Sequence, residues 1–257
     1  MIVSILLQIS PLLPAPLQKP YRLANNSSYQ EKVLNLAKKS EWKTNVLKEL
    51  RPTNTSEENQ LAELLPYSTF KEAQLVAVLA SDANGDSLLG DSLLQLAFRS
   101  HDSATQVACL LAPKNIPAKY SAVMAELALQ THKSLAIRFL ACGRLIESGQ
   151  FKAWILAKRF LLTGTSQDHN NNFPDWRRNG KYELAKRLLW QHIATIVTPY
   201  SFEPNAPWAE QERQVEQIDS VFIKKTQNEF APKEALGVIN SHPMREQILR
   251  LIMVEGE

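Results

Sequence analysis

The pair His101-Asp102, within the stretch from Leu96 to Gln106, has the residue types that hold a metal ion in many hydrolases. A second stretch, offset by 31 residues, repeats the histidine as His132 but has Lys133 where Asp102 stands in the first. A metal site needs its carboxylate, and an ammonium group at that position inverts the local charge. The repeated feature therefore predicts a turn between two helices rather than a metal centre.

The other histidine with acidic neighbours is His169, which lies between Asp168 and Asp175 in the polar segment from Thr163 to Lys181. A histidine with two carboxylates could bind a metal or act as a general base, although a segment this rich in asparagine more often forms a solvated turn. None of the common phosphate-binding, dinucleotide-binding, zinc-protease, paired C-x-x-C or G-x-S-x-G motifs occurs in the sequence. We therefore expect no catalytic, metal-binding or cofactor-binding residues, with an unfamiliar enzyme around residues 163–181 as the third-ranked hypothesis.

Charge is unevenly distributed along the chain. Residues 1–128 are balanced, with 12 basic and 12 acidic side chains, whereas residues 133–187 hold 11 basic and 4 acidic ones and residues 188–257 hold 6 basic and 10 acidic ones. The overall charge of +3 hides this asymmetry. The excess of positive charge in the middle of the chain calls for a compensating group.

The segment WRRNGKYELAKR concentrates that charge between two tryptophans. Three compensating groups are open at this point: the acidic C-terminal part of the same chain, a protein partner, or nucleic acid, whose phosphates would meet the cations and whose bases would stack on the indole rings. Intramolecular pairing or solvation is the leading interpretation. The candidate contacts with a partner or with nucleic acid are Trp176, Arg177, Arg178, Lys181, Lys186, Arg187 and Trp190.

The elements that carry these residues are predicted to be helices throughout. The chain has 257 residues, only 8 glycines and 44% hydrophobic residues, mostly Leu and Ala, which favour helix. Ser28 begins a long helical pattern that Pro52 ends, and Thr69 is a predicted helix cap. The two cysteines, Cys109 and Cys142, lie in apolar runs and are expected to be buried thiols, which fits a reducing, cytoplasmic location.

Further helices are predicted after residue 150. The segment from Gln150 to Leu162 is apolar on nearly all sides, so neighbours must cover it. A stripe through Tyr182, Ala185, Leu189, Ile193 and Ile196 defines the next helix, on whose surface His192 is expected. A long helix should then run from Trp208 to Asn228, and Pro232 and Pro243 should begin two closing helices.

Gly90, Ser92, Leu94 and Ala97 stand at the spacing of the G-x-T-P-L-x-x-A opening of ankyrin repeats, although Leu93 occupies the proline position. The segment from Gly90 to Leu111 thus resembles one ankyrin repeat, and residues 124–143 match more weakly. The resemblance covers about residues 90–143 and implies stacked helical hairpins with a protein-binding surface. It carries over no catalytic residues.

Together these features predict an all-α protein of stacked, α-solenoid-like helical hairpins over residues 28–163, a polar loop at 164–181 and a C-terminal helical unit over 182–257. The apolar segment 1–27, interrupted by Pro11 and Pro14, is expected to be an extended arm docked on the body rather than a membrane span. The function predicted first is a non-catalytic adaptor that binds a protein, and an accessory nucleic-acid-binding subunit ranks second. The sequence does not determine the oligomeric state.

Overall fold

The computed structural model describes residues 28–162 and 181–227. The predicted N-terminal arm, the polar segment with His169, Trp176, Arg177 and Arg178, and the chain after residue 227 lie outside the described residues. Within those residues, eleven α-helices and no β-strand are present, which confirms the predicted all-α class. None of these described helices is both long and apolar enough to cross a membrane.

The described helices follow one another with short connections. Three short 3-10 turns, Leu65–Tyr67, Ala118–Tyr120 and Phe151–Ala153, precede α4, α7 and α9. The helices are α1 (Ser28–Ala37), α2 (Thr44–Glu49), α3 (Thr55–Leu64), α4 (Phe70–Leu79), α5 (Leu88–Arg99), α6 (Ser103–Leu111), α7 (Ser121–Leu129), α8 (Leu135–Glu147), α9 (Trp154–Leu162), α10 (Lys181–Ile193) and α11 (Trp208–Gln227).

The long first helix predicted from Ser28 to Pro52 is wrong, because the structure divides it into α1 and α2. The buried residues of α1 include Val33, Leu36 and Ala37. The next positions at helical spacing are Ser40 and Glu41, which offer no apolar side chain to bury. Continuing the helix would therefore gain no burial.

Side-chain caps fix where the central helices begin. Thr69 and Glu72 form a capping box at the start of α4, in which the Thr69 amide donates to Glu72 over 2.7 Å. Ser87 caps α5, Asp102 caps α6 and Ser134 caps α8. The predicted cap at Thr69 is confirmed.

The repeated histidine feature is the turn of a helical hairpin in each of its two copies. His101 lies between α5 and α6, and His132 lies between α7 and α8, with both side chains exposed. Asp102 accepts hydrogen bonds from the Thr105 amide at 2.8 Å and from its hydroxyl at 2.6 Å. Lys133 cannot accept such bonds, so Ser134 caps α8 instead and that helix begins one residue later than the 31-residue offset would place it.

The second helices of the three hairpins pack side by side, α4 against α6 and α6 against α8, and α10 also packs on α8. The loops that follow α4 and α6 are joined by backbone hydrogen bonds, since the Asp82 amide donates to Ala112 over 2.9 Å and the Lys114 amide donates to Ala83 over 2.7 Å. Away from these loops, Gln74 in the middle of α4 donates to Asp102 at the start of α6 over 3.3 Å. Because like ends lie together, α4 and α6 run parallel.

One continuous hydrophobic core runs through the described helices from α1 to α11. Of the predicted apolar stripe, Ala185, Leu189 and Ile193 are fully buried, Tyr182 is half-buried, and Ile196 lies half-buried beyond the end of α10. Helix α11 contributes Ile218 and Phe222 to the same core. The all-helical class is thus established for the described residues. The solenoid-like arrangement and the division into units at residues 163 and 182 stay predictions.

Candidate interaction surface on α4 and α6

The two parallel helices α4 and α6 leave the same helix positions open to solvent. Counted from the first residue of each helix, positions 1, 2, 5 and 9 are exposed or half-buried in both. Residues at this spacing share one side of a helix. The α4–α6 surface consists of Phe70, Lys71, Gln74 and Val78 from α4 and Ser103, Ala104, Val107, Ala108 and Leu111 from α6.

The α4–α6 surface is apolar for the greater part. Val78 is 39% exposed and Leu111 is 36% exposed, and α6 contains no charged residue along its whole length. Lys71 is the single charged member of the surface. Exposed large apolar side chains that adjoin one another mark interaction sites more often than isolated ones do.

Gln74 shows that the two exposed stripes adjoin. Its side-chain amide donates to Thr105 over 3.2 Å as well as to Asp102. Gln74 is itself a half-buried member of the α4 stripe, while Thr105 is fully buried beside the α6 stripe. The open sides of the two helices therefore form one surface with a polar link at its N-terminal end.

The corresponding side of α8 is covered by the protein itself. Position 5 of α8 is Phe139, whose ring stacks on Phe160 of α9 with 4.3 Å between the ring centroids. Position 9 is Gly143, where an added Cβ would lie 3.1 Å from the Leu189 carbonyl oxygen and 3.2 Å from Cβ of His192, in α10. Helices α9 and α10 thus occupy on α8 the side that α4 and α6 leave open.

The structure places the predicted contact residues of the basic stretch in different environments. Lys186 is only 4% exposed, and its ammonium group donates to Gln211 in α11 over 2.8 Å. Burial lowers the pKa of Lys186 to about 8, although the charge of Glu183 acts in the opposite direction. In this arrangement the Lys186 ammonium lies inside the α10–α11 contact and not at the surface.

The structure describes only some of the remaining candidates. Arg187 is exposed, whereas Trp190 is half-buried and packs against Phe202 with 5.9 Å between ring centroids. The backbone of Lys181 begins α10, and Trp176, Arg177 and Arg178 lie outside the described residues. The predicted partner or nucleic-acid contact through these residues stays a prediction.

Part of the excess positive charge is paired within the chain. Asp219 in α11 accepts hydrogen bonds from Lys158 and from the Trp154 indole, each over 2.6 Å, and both of those donors lie in α9. Arg138 donates to the Ala128 carbonyl over 3.2 Å and lies 5.2 Å from the centre of the Phe160 ring. Asp219 thus pairs with one cation of residues 133–187, whereas the compensation expected for the segment from Trp176 to Arg187 stays a prediction.

A buried polar network that was not predicted from the sequence joins α8 to α10 and to the loop that follows α6. Arg144 is only 2% exposed and donates to Glu147 and to the Pro113 carbonyl oxygen. The Nδ1 atom of His192 lies 3.0 Å from the same Glu147 oxygen. His192 is buried, so the prediction that it lies on a helix surface is wrong. It lies on the side of α10 that packs against α8.

Burial acts to raise the pKa of Glu147, but the hydrogen bond from His192 and the charge of Arg144 outweigh it and hold that pKa below its usual value. The carboxylate is therefore ionised at neutral pH and accepts from both neighbours. Such a network fixes the position of α10 on α8. The signal in the sequence is the position of Arg144 within the apolar run from Phe139 to Ile146.

The two thiols are buried as expected. Cys109 and Cys142 are free cysteines with no exposed surface, and burial raises the pKa of Cys109 to about 12 and the pKa of Cys142 further. Among residues 28–162 and 181–227, no group of three or more His, Cys, Asp or Glu side chains could hold a metal ion.

Comparison with known proteins yields no relative. No protein-family model, no curated protein and no solved structure matches the chain. The geometry of the described residues is therefore what bears on function.

Proposed function

We propose that this protein is a non-catalytic helical adaptor that binds another protein through the α4–α6 surface. The observation that carries the proposal is the repetition of the same uncovered positions on two adjoining helices, filled mainly by apolar side chains. Burying this surface against a partner would remove Val78, Val107 and Leu111 from water, which is the main favourable term in association.

The polar residues of the described helices support the same interpretation. Asp102, which forms with His101 a pair of metal-ligating residue types, serves as a helix cap and accepts hydrogen bonds from Gln74 and Thr105. Arg144, Glu147 and His192 connect helices to one another. These side chains are used to build the scaffold, which leaves an adaptor surface as the better-supported function.

Nucleic-acid binding by the basic stretch has weaker support. Lys186 would have to leave the α10–α11 contact to meet a phosphate, and Lys158 is already paired with Asp219. If it nevertheless occurs, affinity for a DNA or RNA oligonucleotide will fall steeply with added salt, because each neutralised phosphate releases counterions.

The proposal is tested by comparative capture from native extract with three forms of the full chain. The variant Leu111→Asp places a charge in the surface, and Leu184→Asp places one at an exposed leucine of α10 as the matched control. A partner of the α4–α6 surface should be retained by the wild type and by the control and be reduced at least about tenfold by Leu111→Asp, since an interface core tolerates an unpaired charge poorly. Equal capture by all three forms would contradict the proposal, provided that thermal unfolding shows each variant to be folded.

A further inference from the structure

We infer that the partner presents an amphipathic α-helix to the α4–α6 surface, seated on α4 and α6 in the way that α9 and α10 are seated on α8. This inference rests on the proposed function and adds the kind of structure that the surface binds. It follows from the equivalence of helix positions in α4, α6 and α8.

The protein shows what covers this side of a second helix. At the equivalent positions of α8 the covering elements are two helices. Helix α9 covers Phe139 with the ring of Phe160, and α10 covers Gly143, whose backbone approaches that of α10 closely. Because α6 packs directly against α8, the α4–α6 surface continues the side of the stack that α9 and α10 already cover. The occupant that continues this packing is another helix.

The side chains of α6 suit such an occupant. Ala104 and Ala108 are small, so a helix axis can approach closely, while Val107 and Leu111 stand at the spacing that packs into the groove between rows of a facing helix. A peptide added as a β-strand would need unpaired backbone groups at a sheet edge. The described residues contain no β-strand, so they offer no such edge.

The chemistry of the partner helix follows from the composition of the surface. Apolar residues should recur on it at positions i, i+3 or i+4, and i+7, as in other helices that bind in grooves. Lys71, the single charge, lies at the N-terminal end of α4, where its ammonium donates to the Lys39 carbonyl oxygen; no carboxylate neutralises it in this contact, so it favours an acidic residue on the helix at that end. The partner is thus recognised by a mainly apolar stripe with one acidic flank.

Site-specific photocrosslinking tests the inference. A benzophenone amino acid is placed in the full chain at Ala104 or at Leu111, two exposed positions of α6, and at Leu184 as the control, and the cross-linked residues from native extract are mapped by mass spectrometry. The two α6 positions are seven residues apart, which corresponds to about 10 Å along the helix axis. On a bound helix they should therefore reach partner residues about seven positions apart, whereas on an extended strand the same distance spans about three.

The outcomes separate the two proposals. Cross-links about seven residues apart, with no such product from Leu184, would support a helical partner. Cross-links about three residues apart in a partner protein would overturn the helical partner and leave the adaptor function standing. Cross-links confined to residues 1–27 or 228–257 of the same chain, to a second copy of it, or to no protein at all would contradict both.

Discussion

Nδ1 of His192 lies 3.0 Å from Oε2 of Glu147, and this contact joins α10 to α8. The same carboxylate oxygen accepts a hydrogen bond from Arg144, which is almost wholly buried. One half-exposed carboxylate therefore compensates a buried guanidinium and positions an imidazole on another helix. This arrangement makes the α8–α10 contact depend on Glu147.

Replacing Glu147 with Ala should destabilise the protein by about 2–4 kcal/mol, because it leaves the Arg144 charge buried without its partner. The measurement is the free energy of unfolding from urea titrations at pH 7. Glu63→Ala provides the control, since Glu63 is exposed on α3, and it should change the stability by less than about 0.5 kcal/mol. Similar values for the two variants would show that Glu147 does not stabilise Arg144.

The pH dependence of the same contact has a defined sign. Because the pKa of folded Glu147 is lowered, its stabilising contribution is present at neutral pH and is lost as the pH falls below the usual value of 4.5 through the lowered one. Acid titration of the wild type and of Glu147→Ala should therefore converge at low pH. A difference in stability that stays constant from pH 7 to pH 3 would exclude this linkage.

Lys186→Met should stabilise the protein by about 1–3 kcal/mol at pH 7, because it removes a buried ammonium whose pKa is lowered to about 8 by burial. In the wild type the folded state holds the Lys186 proton less tightly than the unfolded state does. The destabilisation caused by burying the ammonium is therefore complete below pH 8 and decreases as the pH rises toward 10.5. The advantage of the variant should therefore shrink between pH 8 and pH 10.

Unfolding by urea at several pH values measures the effect of Lys186→Met. Arg187→Met, at the exposed neighbouring position, serves as the control and should leave the stability nearly unchanged. If Lys186→Met instead destabilises the protein at pH 7, the bond to Gln211 outweighs the cost of burying the charge.

Gly90→Ala should destabilise the protein by about 2–4 kcal/mol, although alanine is the better helix former. A Cβ at residue 90 would lie 2.1 Å from the Asn84 carbonyl oxygen and 2.8 Å from Cα of Gly85, and both are backbone atoms that cannot move alone. Thermal unfolding compared with Ser92→Ala, on the same helix, isolates this clash. An equal or higher melting temperature for Gly90→Ala would mean that the loop before α5 can shift freely.

The cysteines should be unreactive in the native protein. Both thiols are fully buried, and burial disfavours the thiolate, which is the reactive form. Ellman's reagent at pH 8 should therefore report no accessible thiol in the folded chain and 2 thiols after denaturation. Fast reaction of either cysteine without denaturant would indicate local opening around α6 or α8.

The features that could be predicted from the sequence are local ones. Thr69 and Glu72 meet within one helical turn, and the buried stripe at Ala185, Leu189 and Ile193 follows from helical spacing alone. The turn at His101 was predicted from its repetition at His132, and the structure confirms it. Each of these predictions depends on residues within a few positions of one another or on the comparison of two similar segments of the chain.

The α4–α6 surface could not be predicted in the same way. Val78 and Leu111 have the composition of core residues, and periodicity cannot distinguish a stripe that a neighbour covers from one that is left open. Position 9 is open in α4 and α6 and covered in α8, where it is Gly143, because α10 packs there. The arrangement of helices around each position is what separates the two cases.

The sequence by itself determined the helical class, the cap at Thr69 and the burial of the thiols, because each depends on propensity, spacing or composition along one segment. Only the tertiary structure decided which charged side chains are paired with another residue of the same chain. Lys158 meets Asp219 across 61 residues and His192 meets Glu147 across 45, and only packing brings such distant partners together. Whether a cation faces solvent or a carboxylate of another helix depends on which helices pack together, and the pattern along one helix does not contain that information.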